Sequence, residues 1–196
     1  YFQTDQNTTG FNWRKLWGKG YSNTSLSYST NSQNQLLNDI ISRDPSVDLD
    51  SREQSVFLRN VNYLQRSDRN SIEFGTDLET EWNDFEYFIA GTTNTAGQQR
   101  PDFRRNDTVN GSLASVFASF TTQPLNRLTL TLGSRLNYNT YNEDLNIAPR
   151  TQLRYQLSQR LALTGAAGIY YQTLPRYLLS QNEQIADLRS TRASHL

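Results

Sequence analysis

The chain has 196 residues, with 19 Lys+Arg balanced by 19 Asp+Glu, and contains neither cysteine nor methionine. A formal net charge of +0 excludes the broad basic footprint of a nucleic-acid binder, and the lack of cysteine excludes a disulfide framework or a thiolate metal site. A hydrophobic fraction of 35% and a mean hydropathy of -0.74 would fit a disordered chain, but 12% aromatics, including 11 tyrosines, does not. Nor does any run approach the roughly 20 apolar residues that a membrane-spanning helix needs. The basic residues are almost all arginine, Lys15 and Lys19 being the exceptions, which suits fixed carboxylate networks in a confined space. The sequence opens Tyr1-Phe2 without an initiator and shows no signal peptide, so a processed product or a portion of something longer is expected.

Taken in chain order, turn residues divide the sequence into expected strands at Tyr21 to Thr30, Arg52 to Gln65, Asn70 to Ile89, Gly111 to Thr121, Arg127 to Thr140, Ile147 to Leu157 and Leu161 to Gln172. Trp13 and Trp17 precede the first of these and read as interface anchors, while Gly18 and Gly20 around Lys19 make a turn, not a phosphate loop. Connections alternate in length. Asn31 to Ser51 and Ala90 to Asn110 are long; Arg66 to Arg69, Thr122 to Asn126 and Ser158 to Arg160 are tight; Tyr141 to Asn146 is moderate. Outer-membrane barrels have short periplasmic turns and longer external loops, so the asymmetry assigns a side to each strand end.

The clearest pattern lies between Asn70 and Asn83. Ile72, Phe74, Leu78 and Trp82 fall on even positions, and Glu73, Asp77, Glu79 and Glu81 on odd ones, giving one apolar and one acidic face. Leu128, Leu130, Leu132, Leu136 and Tyr138 repeat the pattern opposite Arg135. Pairing Phe120 with Leu128, Ala118 with Leu130 and Val116 with Leu132 keeps one apolar face across that hairpin. In the last hairpin, Leu157, Tyr155 and Leu153 are expected opposite Leu161, Leu163 and Gly165, leaving Arg150, Gln152 and Arg154 on the inner face beside Gly168, Ala166 and Thr164. Arg52 to Gln65 carries apolar residues on both parities. Placing its odd face inward keeps Arg59 out of lipid, where a midplane arginine costs about 2 to 4 kcal/mol, and sets Arg59 opposite Asp77. The expected fold class is therefore all-β, an antiparallel transmembrane barrel wall, with Arg59, Glu73, Asp77, Glu79, Glu81, Arg135, Arg150 and Arg154 facing the lumen. Trp82, Phe85, Tyr87, Tyr138, Tyr170 and Tyr171 are expected to form an aromatic girdle near the longer connections.

Few side-chain groups suggest chemistry. Asp44, Asp48, Asp50 and Glu53 offer hard oxygen ligands but lack the glycine turn and ligand order of a calcium loop, so a solvated loop is the better reading. Arg100, Arg104 and Arg105, with Phe103 among them, form a candidate ligand-contact loop, because arginine suits carboxylate and phosphate. The acidic stripe reads as a wall facing arginines and not as paired catalytic acids. His195, the one histidine, has neither a metal set nor an acid-base partner in sequence. Catalysis, a cofactor and a bound metal are not expected.

Several segments together resemble a known family. Asn126 to Asn139, Ala148-Pro149-Arg150, and Gly165-Ala166-Ala167-Gly168-Ile169-Tyr170-Tyr171-Gln172 with Pro175 resemble the barrel of TonB-dependent outer-membrane receptors. Phe57-Leu58-Arg59 and Asp68 to Gly75 share that look, and Leu188 to His195 is similar to the start of a further strand. The resemblance implies a barrel of about 22 strands in the bacterial outer membrane, surrounded by outer-membrane lipid. It also implies a plug domain, a small nutrient ligand, and import powered by an inner-membrane energy-transducing complex. Neither a plug, an energy-coupling box nor an aromatic-ended final strand is recognisable, so residues 1–196 are expected to form part of one barrel domain whose plug and remaining wall lie elsewhere. Two other readings compete: a self-contained outer-membrane barrel of about eight strands with a structural or adhesive role, and a soluble all-β carbohydrate-binding or surface protein whose leucine stripes are buried between two sheets.

Overall fold

The computed structural model describes residues 1–40, 44–93, 97–173 and 190–195. These form nine strands: β1 (Phe2–Trp17), β2 (Gly20–Asn38), β3 (Pro45–Ser67), β4 (Asn70–Ile89), β5 (Phe103–Leu125), β6 (Leu128–Asn139), β7 (Asp144–Gln156), β8 (Ala162–Gln172) and β9 (Thr191–His195). They build one antiparallel sheet in chain order, each strand beside its sequence neighbours, with β1 and β9 as open edges. The sheet is not closed, so a complete eight-stranded barrel is not what these residues form. Among the described residues there is no second sheet, and Leu26, Leu58, Leu78, Leu132 and Leu136 are exposed rather than sandwiched.

Burial shows that the sheet is curved. Asp77, Asn83, Phe85, Val109, Ser115, Asn139 and Ala148 are the buried side chains beyond glycine among the described residues. The register places every one of them on the same face, through pairs such as Asp77 with Ser115, Asn83 with Val109, and Arg135 with Ala148. With no second layer on the sheet, only the crowding of a concave face buries one parity and exposes the other. On β4 the odd residues are the concave ones.

The convex face carries the apolar belt. Phe74, Leu78 and Trp82 of β4 share it with Phe11, Trp13, Leu26, Leu58, Val116 and Leu136, all exposed. From Ile72 to Trp82 the strand runs ~33 Å at ~3.3 Å per residue, which at the roughly 40° tilt usual for membrane barrels gives a band ~25 Å tall, the height such barrels present to lipid. A polar interruption on this face explains the mixed parity of β3. Asn60 Nδ2 donates to Thr24 Oγ1 at 2.8 Å and to Ser22 Oγ at 3.3 Å, and Asn62 Nδ2 donates to Asn60 Oδ1 at 2.5 Å. The amides thus satisfy one another instead of facing hydrocarbon bare.

The structure differs from the sequence reading in three places. The two long connections are partly strand: β2 and β3 run on to Asn38 and from Pro45, and β5 starts at Phe103. These extensions lie past Trp82, where polar residues occupy the convex face as well, so their composition imitates a loop while ladder hydrogen bonds keep them extended. Asn34 Nδ2 to Asp50 at 3.3 Å and Thr108 Oγ1 to Asp84 at 2.9 Å tie them sideways. β1 was also not expected, although Phe11, Trp13 and Trp17 share one parity. Finally, Phe120 pairs with Leu132 and Val116 with Leu136, four residues beyond the expected register. The turn tightens to Asn126-Arg127, with an irregularity between Thr122 and Leu125. An even shift keeps every side chain on its expected face. The last hairpin has the expected pairs, Leu153 with Gly165 and Arg150 with Gly168.

Candidate functional site on the concave face

Glycine makes room for the centre of the concave face. A Cβ on Gly75 would collide with the Asn60 carbonyl and lie 2.7 Å from the Phe117 ring. Phe117, the cross-strand partner of Gly75, therefore lies down over the glycine backbone. The Arg59 and Arg135 guanidinium carbons each sit 5.8 Å from its centroid. Both arginines turn to Asp77, which is 5% exposed. Arg135 Nη1 reaches across β5 to donate to Asp77 Oδ2 at 2.7 Å, and Arg59 Nε faces Oδ1 at 3.6 Å, beyond hydrogen-bond length. Arg135 Nε also donates to Asn137 Oδ1 at 2.7 Å, and Ser115 Oγ donates to the same oxygen at 2.8 Å. One carboxylate thus ties β4 to β6 with a charge-assisted bond and faces β3 through a longer ion pair.

The other expected wall residues lie on the same face. Glu73 occupies the row of Tyr63, Ser119, Gly133 and Arg150. Glu79 and Glu81 follow Asp77 at the same parity, and Arg154 donates to Gln156 Oε1 at 3.4 Å. Phe117 and Asn137 were not singled out from sequence, and Tyr170 was expected in the aromatic girdle. Asn137 was legible in principle, being two residues from Arg135, whereas Phe117 needed its pairing with Gly75 to be known.

The candidate ligand-contact residues separate. Phe103 and Arg105 point to the concave face opposite Ile89 and Tyr87, and Arg105 Nη2 pairs with Asp107 at 3.0 Å. Arg104 lies on the convex face with its guanidinium 4.5 Å from the Phe88 ring centroid, and Arg100 lies in the connection before β5. Phe103, Arg104 and Arg105 are strand residues on opposite faces, because β5 extends beyond the belt. The acidic group separates likewise, Asp48 and Asp50 facing outward and Glu53 inward, and no group of three metal-ligating side chains converges among the described residues. Of the aromatic girdle, Trp82 and Tyr138 are exposed on the convex face. Phe85 and Tyr87 instead stack on the concave face at 6.1 Å, Phe85 being 1% exposed. Tyr170 is also concave, between Arg150 at 4.8 Å and the edge of His195 at 5.4 Å.

The sequence matches no family model and no curated protein. Solved structures do match. A variant of the ferric enterobactin receptor of Pseudomonas aeruginosa aligns at a TM-score of 0.60 and 16% identity, over 87% of this chain and 26% of that one. The outer membrane transporter YddB of Escherichia coli aligns at 0.63 and 12% identity, over 86% of this chain and 26% of its own length. The fold is that of TonB-dependent receptor barrel wall. The chain spans about a quarter of the length of these receptors, as an open run of the antiparallel sheet that closes to form their barrels. These neighbours are a receptor and a transporter, not enzymes.

Proposed function

We propose that the chain forms part of the barrel of an outer-membrane transporter that imports a scarce nutrient by energy-coupled transport. The observation that carries this reading is the division of faces: a convex belt of exposed leucine, phenylalanine and tryptophan beside a concave wall on which arginines meet the buried Asp77 carboxylate. A lipid exterior and a filled, polar interior together require that division. In this reading residues 1–196 belong to one barrel domain of the bacterial outer membrane, completed by further strands and by a plug domain, and an inner-membrane energy-transducing complex is the power source. Of the mouth residues, Phe103 and Arg105 face the interior and would meet a solute, while Arg104 would face the surrounding headgroups.

The test is the intact mass and location of the native protein, identified by peptides of this sequence. Recovery from the outer membrane with detergent only, at a mass several times 22.6 kDa, is the expected result. Recovery in the soluble fraction, or a mass near that of the chain itself, overturns it. Energy coupling is tested separately: loss of the inner-membrane complex and loss of this protein should give the same growth defect on the same limiting nutrient.

A further inference from the structure

We propose that Arg150 is an oxyanion-binding position of the concave face, offering its guanidinium to a carboxylate or phosphate within the barrel. The inference rests on the reading of that face as a lumen wall. Arg150 stands between two glycines, Gly133 on β6 and Gly168 on β8. Neither neighbour projects a side chain, and a Cβ on Gly168 would lie 3.3 Å from Arg150 Cγ and 3.2 Å from the Tyr170 ring. The arginine stem occupies the space that the glycine leaves. Its guanidinium carbon is 4.8 Å over the Tyr170 ring, which fixes its plane but accepts none of its N–H groups in-plane.

The contrast with the other central arginines is chemical. Arg59 and Arg135 share Asp77, whereas Arg150 has no carboxylate within ion-pair distance among the described residues. It stands between two hollows of the concave face, of ≈ 320 and ≈ 300 Å³. The first is lined by the amides of Asn137, Asn139 and Asn146 together with Arg135 and Asp144, and the second by Ser119, Gln152, Arg59, Arg135 and Glu73, so that the basic side chains outnumber the single carboxylate of each hollow. Five donors in a rigid fork, anchored from behind by an aromatic ring and open to polar hollows on either side, match a planar or tetrahedral oxyanion. Once a barrel is closed and filled, a guanidinium without such a partner is a buried charge at full desolvation cost.

The experiment uses the intact native protein in detergent, its folded state checked by heat-modifiable gel mobility. Thermal unfolding is followed for wild type, Arg150→Lys and Arg150→Met in sodium citrate, in phosphate, and in sodium chloride of matched ionic strength. If the anion is a solute, citrate or phosphate raises the wild-type midpoint by about 2 °C or more and leaves Arg150→Met unmoved. If the anion is a carboxylate of the polypeptide filling the barrel, wild type ignores both salts, Arg150→Met unfolds several degrees lower, and Arg150→Lys falls between. The proposal is overturned if wild type and Arg150→Met respond equally to the salts. It is also overturned if wild type ignores the salts and Arg150→Met is as stable as wild type or as Arg150→Lys. Should Arg150→Met not fold, Arg150→Gln takes its place in the same comparison. A protein that stays in solution without detergent defeats the barrel reading itself, whereas a folded membrane protein indifferent to these changes defeats only the role of Arg150.

Discussion

The two halves of β4 on either side of Trp82 have the same backbone and neighbours but opposite side-chain patterns. From Ile72 to Trp82 the convex side is apolar and the concave side carries Glu73, Asp77, Glu79 and Glu81; from Asn83 onward Phe85 and Tyr87 turn inward while Asp84 and Glu86 turn outward. Strand propensity is indifferent to this inversion, since both halves are extended and equally paired. In the proposed membrane setting, what changes at Trp82 is the medium outside, from hydrocarbon to water. Once the convex side is wet, aromatic side chains are better placed on the crowded concave side, where Phe85 is nearly inaccessible.

Substitutions that trade the two halves test this boundary. The largest effect is expected for Leu78→Arg, near the middle of the belt, which should destabilise the intact protein by about 2–4 kcal/mol, read by denaturant unfolding in lipid vesicles. Asp77→Asn should cost about 2 kcal/mol in the same assay, because it leaves two guanidiniums over Phe117 without their shared charge. An Arg135→Gln background should remove most of that penalty, since the pair is then no longer complete. Gly75→Val should cost about 1–3 kcal/mol through the Phe117 ring, and Phe117→Ala should relieve part of it. Glu86→Arg, above Trp82 on the same convex face as Leu78, should cost about 0–1 kcal/mol. If Leu78→Arg and Glu86→Arg are equally mild, the boundary at Trp82 is not a membrane interface.

The belt was legible in the sequence because lipid forces period-two alternation, as in Ile72, Phe74, Leu78 and Trp82. Face assignment survived even where the register did not: Phe120 moved from Leu128 to Leu132 and stayed convex. Segments wet on both sides gave no such signal. Asn31 to Asn38 and Pro45 to Ser51 read as loop because nothing outside them selects apolar residues, and only the ladder to a neighbouring strand keeps them extended. Of the concave site, the charged members were visible as residue types at one parity. Their grouping was not, because Arg135 meets Asp77 across an intervening strand and Phe117 lies flat only where Gly75 permits it.

The strand order also bears on assembly. Each of the nine strands lies next to its sequence neighbours, so every pairing seen here closes a short stretch of chain, and the sheet can grow hairpin by hairpin with each finished strand templating the next. Such local pairing is the kinetically inexpensive kind. The outer rims of β1 and β9 are different, for they have no partner among the described strands. Until such a rim is paired, it can accept the strand of another molecule.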